Sequence, residues 1–131
     1  MVASFVGIET ILQGQIARQS AGMVEVQVGA AATVLAVASL AVGSRVTLCI
    51  RPEEVTLLAA SAESAPSSAR NHFSAMVQRI VPWGAAFKVH LDCGFPLVAF
   101  VTRPSLELLD LREGKSIAAA FKATAVHVIP T

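Results

Sequence analysis

The chain has 131 residues, which is enough for one ordinary domain or two very small ones. Hydrophobic residues make up 54% of it and charged residues 15%, so the chain is expected to fold. The net charge of +1 excludes the broad basic surplus that nucleic-acid-binding proteins carry. Any anion binding must therefore depend on a few well-placed donors.

The apolar stretches are too short for a membrane helix. The longest weakly polar run, residues 28–43, falls short of the roughly 20 residues that a spanning helix needs. The N-terminal residues lack the basic region and the cleavage site of a signal peptide. Cys49 and Cys93 have no metal-ligand spacing and are expected to be reduced, buried thiols. We therefore expect a cytoplasmic protein without direct membrane insertion.

Short strands follow one another in chain order. Apolar patterning predicts strands over residues 11–19, 23–28, 33–39, 45–50 and 55–59, with turns at Ala21-Gly22 and Gly29-Ala30. A segment rich in small residues then predicts a linker at 61–67. Beyond it, strands are predicted over residues 71–81, 86–92, 97–101, 116–122 and 125–129. Turns are predicted at Pro82-Trp83-Gly84 and Cys93-Gly94.

One short helix is predicted in the second half of the chain. Pro104 suits the first helical position, with Thr102 and Arg103 at the cap. Its leucines are expected to cover the end of a barrel: Leu106, Leu108 and Leu109.

The two halves of the chain resemble each other. Gly43 matches Gly114 and Arg51 matches Lys122 at one offset of 71 residues. Upstream the offset falls to about 61, so the second half carries about ten extra residues, placed at 102–112. We therefore predict an all-β fold of two OB-like five-stranded small barrels, residues 1–60 and 68–131, with a short helix in the second.

No catalytic motif is present in the sequence. The chain has no GxxxxGK[ST] phosphate loop, no HExxH and no GxSxG, so it is not expected to be an enzyme by itself. His72, His90 and His127 are widely spaced and are interpreted as surface or interface residues. No metal site is expected.

Three short segments carry anion donors. They are Ser68-Ala69-Arg70-Asn71, the helix start from Thr102 to Ser105, and Lys122-Ala123 before Thr124. Arg and Lys supply charge-assisted hydrogen bonds, while a helix start presents free N–H groups. The alternative stays open that Arg70 and Lys122 are solvated charges and that Thr102 and Ser105 only cap the helix.

A family resemblance connects these segments. Residues 68–129 resemble the molbindin (Mop) unit, and the first half resembles the other part of a TOBE domain as found in ABC importer ATPases. The first likeness lies in Ser68-Ala69-Arg70-Asn71, Val101-Thr102-Arg103-Pro104-Ser105, Leu111-Arg112-Glu113-Gly114 and Phe121-Lys122-Ala123-Thr124-Ala125-Val126. The second lies in Phe5-Val6-Gly7-Ile8-Glu9-Thr10 and Ile50-Arg51-Pro52-Glu53-Glu54-Val55.

The resemblance implies a cytoplasmic, C-terminal regulatory domain of a molybdate- or tungstate-type ABC importer ATPase. Such domains bind the transported oxyanion between barrels, and in some members this shuts the transporter. The resemblance implies a homodimer that meets membrane permease subunits through the parent ATPase, with molybdate or tungstate as ligand and no cofactor. The implied ligand residues are Ser68, Ala69, Arg70, Asn71, Thr102, Ser105, Lys122 and Ala123.

Three other functions are weighed against this one. A TOBE domain of a sugar-type importer would bind no oxyanion, and a stand-alone protein would store one. An OB-type nucleic-acid module would need basic grooves with stacking aromatics, and this chain has one Trp and no Tyr. Glu9 falls opposite Arg70 in the repeat, so the first barrel is expected to be mainly structural.

Overall fold

The computed structural model describes residues 10–60 and 67–131, which form two curled five-stranded antiparallel sheets. The predicted all-β class is confirmed. Glu9, the rest of segment 5–9 and the linker residues 61–66 lie outside the described residues. The strands are β1 (Thr10–Ser20), β2 (Met23–Val28), β3 (Ala32–Val37), β4 (Arg45–Ile50), β5 (Thr56–Leu58), β6 (Asn71–Trp83), β7 (Ala86–Asp92), β8 (Pro96–Val101), β9 (Ser116–Phe121) and β10 (Val126–Pro130).

The two halves exchange their last strands. The first sheet has the order β10-β4-β1-β2-β3, and the second has the order β5-β9-β6-β7-β8. The prediction that each half closes with its own fifth strand is therefore wrong. Periodicity identifies a strand, but its partner depends on contacts far apart in the sequence. The boundaries 1–60 and 68–131 remain a prediction, and neither half holds a complete sheet alone.

The internal repeat is visible in the backbone. β4 and β9 are related by the offset of 71 residues, and so are the two short 3-10 turns that follow them, Pro52–Glu54 and Ala123–Ala125. β1 and β6 each carry a bulge, between Ile16 and Arg18 and between Val77 and Arg79 respectively. The Ile16 carbonyl accepts a 2.8 Å hydrogen bond from the Gly43 N–H, and the Val77 carbonyl accepts one of the same length from the Gly114 N–H.

Alternating burial forms one hydrophobic core, to which both sheets contribute. Val24, Val26 and Val28 of β2 are buried, and the residues between them are half-buried. Each fully buried aliphatic side chain stabilises the fold by about 1.5–3 kcal/mol. In the second half Phe73 packs edge-on against Phe95, with ring centroids 5.0 Å apart, and stacks on Phe121 at 5.8 Å.

Two buried polar residues join the halves, and the repeat relates them. The Asn71 amide accepts a hydrogen bond from Leu35 N–H at 2.8 Å and donates one to the Leu35 carbonyl at 2.9 Å. Thr10 accepts a hydrogen bond from the Val98 N–H at 3.2 Å. The first strand of each half therefore bonds to the third strand of the other, which fixes where segment 68–71 lies.

The predicted helix is α1 (Arg103–Leu108), with Thr102 as its N-cap. The Thr102 hydroxyl accepts a hydrogen bond from the Ser105 N–H. Leu106 and Leu109 pack against the core as predicted, whereas Leu108 is 85% exposed and that part of the prediction is wrong. Residues three apart share a helix face, and Leu108 points away from it.

Glycines occupy the predicted turns. Gly22, Gly29 and Gly94 all have positive φ angles, which glycine adopts without strain. The turn after β6 is shorter than predicted, because Pro82 and Trp83 still pair with β7. None of the helices in the described ranges is long and apolar enough to cross a membrane.

The two cysteines are free thiols in different surroundings. Cys49 is buried as predicted, but Cys93 is only partly buried. Burial, with the negative charge of Asp92, raises the pKa of the Cys93 thiol to about 12. At neutral pH the thiol stays protonated and is a poor nucleophile.

Candidate functional site

The predicted ligand residues lie in three separate clefts. Ser68, Ala69 and Lys122 share one, which we name the Lys122 cleft. Arg70 lines a second, the Arg70 cleft, and Thr102 and Ser105 line a third, the Thr102 cleft. The two remaining predicted residues line none of the three and are buried: Asn71 and Ala123.

The Lys122 cleft has a volume of about 520 Å³. Its walls come from the loop before β6, the end of β9, and the first 3-10 turn with β5. Lys122 is exposed and stands at the N-cap of the second 3-10 turn, where its carbonyl accepts a hydrogen bond from the Ala125 N–H at 3.0 Å. This turn fixes the backbone from which the lysine side chain extends.

The loop before β6 is held by one hydroxyl group. Ser67 Oγ accepts a hydrogen bond from the Ala69 N–H at 3.2 Å and lies 3.3 Å from the Ala69 carbonyl oxygen. The N–H of Ala69 is therefore already bonded within the loop. A ligand that used this N–H would have to displace the Ser67 hydroxyl, whereas Ser68 is exposed in the same cleft.

The charges around the Lys122 cleft do not favour a dianion in a single chain. Glu53 and Glu54 line the cleft together with Lys122, so two carboxylates face one ammonium group. Charges a few ångströms apart interact by about 1 to 4 kcal/mol near a protein surface. Cationic donors from outside this cleft are needed before it becomes complementary to an oxyanion.

His72 also lines this cleft, although the sequence did not indicate it. It is half-buried, and its Nε2 atom lies 3.4 Å from Ser67 Oγ. Its Nδ1 atom is buried and has no hydrogen-bond partner among the described residues. Strand alternation was the available signal, because a buried Asn71 sends the next side chain to the opposite face of β6.

The Arg70 cleft lies over the first half and is smaller, at about 180 Å³. Arg18 and Glu25 also line it, and they form a 3.8 Å ion pair on the surface. Arg70 is placed there because its neighbour Asn71 is bound to Leu35, which lines the same cleft. Arg70 therefore faces away from the Lys122 cleft of its own chain.

The Thr102 cleft, about 250 Å³, lies between β5 and the region where β8 ends and α1 begins. Thr56 lines both this cleft and the Lys122 cleft, so the two adjoin at β5. The hydroxyl of Thr102 lies 3.3 Å from Ser105 Oγ, to which it donates. The Thr102 hydroxyl therefore caps the helix, and the Ser105 hydroxyl accepts a hydrogen bond from it.

A comparison with protein families identifies the domain. Residues 67–128 match the family model of the TOBE domain. This part of the chain is a TOBE domain. It contains all three donor segments and most of the second sheet, while β1 to β5 precede the matched residues.

Curated relatives of the chain are import ATP-binding proteins. The molybdate/tungstate import ATP-binding protein WtpC of Pyrococcus horikoshii is 44% identical over 90 residues, which are 68% of this chain and 25% of the relative. The protein of the same name from Pyrococcus abyssi is 35% identical over 128 residues, 97% of this chain and 34% of the relative. The chain thus spans about a quarter to a third of the relatives it matches.

A solved structure supports the fold assignment. The cytoplasmic molybdate-binding protein ModG, solved with molybdate bound, superposes with a TM-score of 0.81 at 23% sequence identity. The match covers 93% of this chain and 96% of that one. The TOBE domain and the first half therefore share the fold of ModG over nearly the whole chain.

Proposed function

We propose that this protein binds molybdate or tungstate and serves as the cytoplasmic regulatory domain of an import ATPase. The observation that carries the proposal is the meeting of Lys122 with the Ser68-Ala69 loop in one cleft of a TOBE domain. These residues are more than fifty positions apart in the sequence. The names of the relatives, import ATP-binding proteins for molybdate and tungstate, supply the ligand class.

The chemistry of the cleft suits a tetrahedral oxyanion once more charge is supplied. Lys122 provides an ammonium group with three donors, and Ser68 provides a neutral hydroxyl donor. Hydrogen bonds to a charged partner contribute about 1.5–3 kcal/mol each. Such an anion offers only acceptors, so Glu53 and Glu54 must be offset by further cations.

We infer that a second copy of the chain supplies those cations. Arg70 is exposed and faces away from the Lys122 cleft of its own chain. It is the cation that we expect to enter the cleft of a partner in a homodimer. Thr102 and Ser105 line the neighbouring cleft, which adjoins the Lys122 cleft at Thr56, and they provide hydroxyl groups beside it. Asn71 keeps its bonds to Leu35 and has a structural role in this proposal.

A complementation experiment tests the shared site. Arg70→Ala and Lys122→Ala chains are given different affinity tags, co-expressed, and purified as the mixed dimer. Each variant alone is expected to lose molybdate binding, because every site then lacks one cation. The mixed dimer contains one site with both cations intact and is expected to bind about one equivalent per dimer in calorimetry.

The control for this experiment is a mixed dimer in which the same chain carries both substitutions and the other is wild type. That dimer loses one cation from each shared site and should bind as poorly as the single variants. If it binds one equivalent while the complementing dimer binds none, both residues act within one chain and the shared site is refuted.

We further propose that the bound oxyanion inhibits the complete importer from the cytoplasmic side. Permease subunits would meet this domain only through the ATPase. In reconstituted vesicles, internal molybdate is expected to slow ATP hydrolysis by the wild-type importer and to have little effect on the Lys122→Ala importer. Equal inhibition of both would refute sensing through this cleft.

A TOBE domain without oxyanion binding is the second candidate. The two carboxylates beside Lys122 and the mutual hydrogen bonds of Thr102 and Ser105 favour it. In that case none of the dimers described above binds molybdate, and the wild-type protein does not bind it either.

A further inference from the structure

His72 lines the Lys122 cleft and has a ring nitrogen that nothing in the described protein satisfies. The Nδ1 atom of His72 is buried and unpartnered, although Nε2 on the same ring lies 3.4 Å from Ser67 Oγ. A buried polar atom without a partner costs about 1–3 kcal/mol of folding free energy. Most buried polar atoms in native proteins are paired, so an exception calls for an explanation such as a bound group.

The position of His72 suggests what that group is. The ring lines the same cleft as Lys122 and Ser68. The Ser67 hydroxyl donates to the Ala69 carbonyl at 3.3 Å, so its longer 3.4 Å contact with Nε2 is not needed to hold the loop. A turn about the Cβ–Cγ bond, which is a soft torsion, would give up that contact and release Nδ1 from its buried position. A ring N–H that then faces the cleft could donate to an oxyanion, which offers acceptors on every side.

We propose that His72 is a further ligand residue, which donates a hydrogen bond from its imidazole to the oxyanion bound beside Lys122. This inference rests on the proposed function and adds a residue to the site it describes. The charged groups that line the cleft with His72 are Lys122, Glu53 and Glu54. A donor at position 72 adds a hydrogen bond for an anion in a cleft in which carboxylates outnumber the lysine.

Two substitutions at His72 test the proposal by calorimetry with sodium molybdate. His72→Phe keeps the ring shape and removes both nitrogens, so affinity is expected to fall about tenfold to a hundredfold. His72→Gln keeps an N–H donor and is expected to lose less. His127→Phe is the matched control, because His127 is exposed on β10 and does not line the cleft.

Stability without ligand separates ligand contact from a purely structural role. His72→Phe removes an unpartnered buried nitrogen, so in the absence of molybdate it is expected to melt at or above the wild-type temperature. A structural tether through Ser67 predicts the reverse, with a lower melting temperature and unchanged affinity. In nitrogen-15 spectra, molybdate is expected to shift the His72 ring resonances and leave those of His127 in place.

The possible outcomes distinguish this inference from the function on which it depends. Wild-type protein that binds molybdate, with His72→Phe binding equally well, overturns the inference and leaves the proposed function intact. Wild-type protein that binds no molybdate overturns both. Weaker binding by His72→Phe, with stability retained and the His127→Phe control unaffected, supports His72 as a ligand residue.

Discussion

At the scale of single residues, Asn71 shows that a residue of the predicted binding motif can have a structural role. It belongs to the segment predicted to bind the anion. However, the oxygen and the nitrogen of its side-chain amide both form hydrogen bonds with the Leu35 backbone. Asn71→Ala would leave the N–H and carbonyl groups of Leu35 without these partners. We expect it to lower the free energy of unfolding by about 2–3 kcal/mol in urea denaturation.

Thr10 provides the matched comparison for Asn71. It occupies the equivalent position in the first half and accepts one hydrogen bond, from Val98. Thr10→Val keeps the shape of the side chain and is expected to cost about 1 kcal/mol. If Asn71→Ala were no more destabilising than Thr10→Val, the two hydrogen bonds between Asn71 and Leu35 would not be a main contact between the halves.

The chemical types of the site residues were predictable, but the directions of their side chains were not. The sequence indicated a Ser, an Arg and a Lys as donors, and Ser68 and Lys122 do share a cleft. Arg70 lies elsewhere because Asn71 attaches the chain to Leu35 of the other half. The place of His72 in this cleft was missed because an isolated histidine in a sequence is usually a surface residue, and only the fold shows its buried nitrogen.

At the scale of elements, the exchange of β5 and β10 was the main feature that the sequence did not reveal. The repeat correctly aligned β4 with β9, the two 3-10 turns and the bulges in β1 and β6. It also placed the insertion that contains α1. The pairing of β10 with β4 joins residues about eighty positions apart, and no local pattern specifies it.

The exchange of β5 and β10 predicts which strand is destabilised by a substitution in β10. Val128 in β10 is half-buried and pairs with Leu48 in the first sheet. Val128→Asp should loosen β10 and speed amide hydrogen exchange in β4 at least tenfold, with little change in β9. Ile129→Thr, at an exposed position of the same strand, is the control. Faster exchange in β9 with β4 unchanged would contradict the pairing.

At the scale of the whole molecule, the exchanged strands and the Thr10 and Asn71 contacts bind the two halves into one unit. The predicted donors are spread over three clefts of that unit, which is why the proposed site requires a second copy. Composition gave no sign of this arrangement, because the chain is nearly neutral and its useful charges are few.

The most direct test of the central claim is calorimetric titration of the wild-type protein with molybdate, accompanied by thermal unfolding. We expect saturable binding and a melting temperature raised by several degrees, because a ligand at 100 times its Kd adds about 2.7 kcal/mol to the stability of the folded state. The Lys122→Ala protein should show neither effect. Folded wild-type protein with no binding heat and no shift at millimolar molybdate would contradict oxyanion binding by this protein.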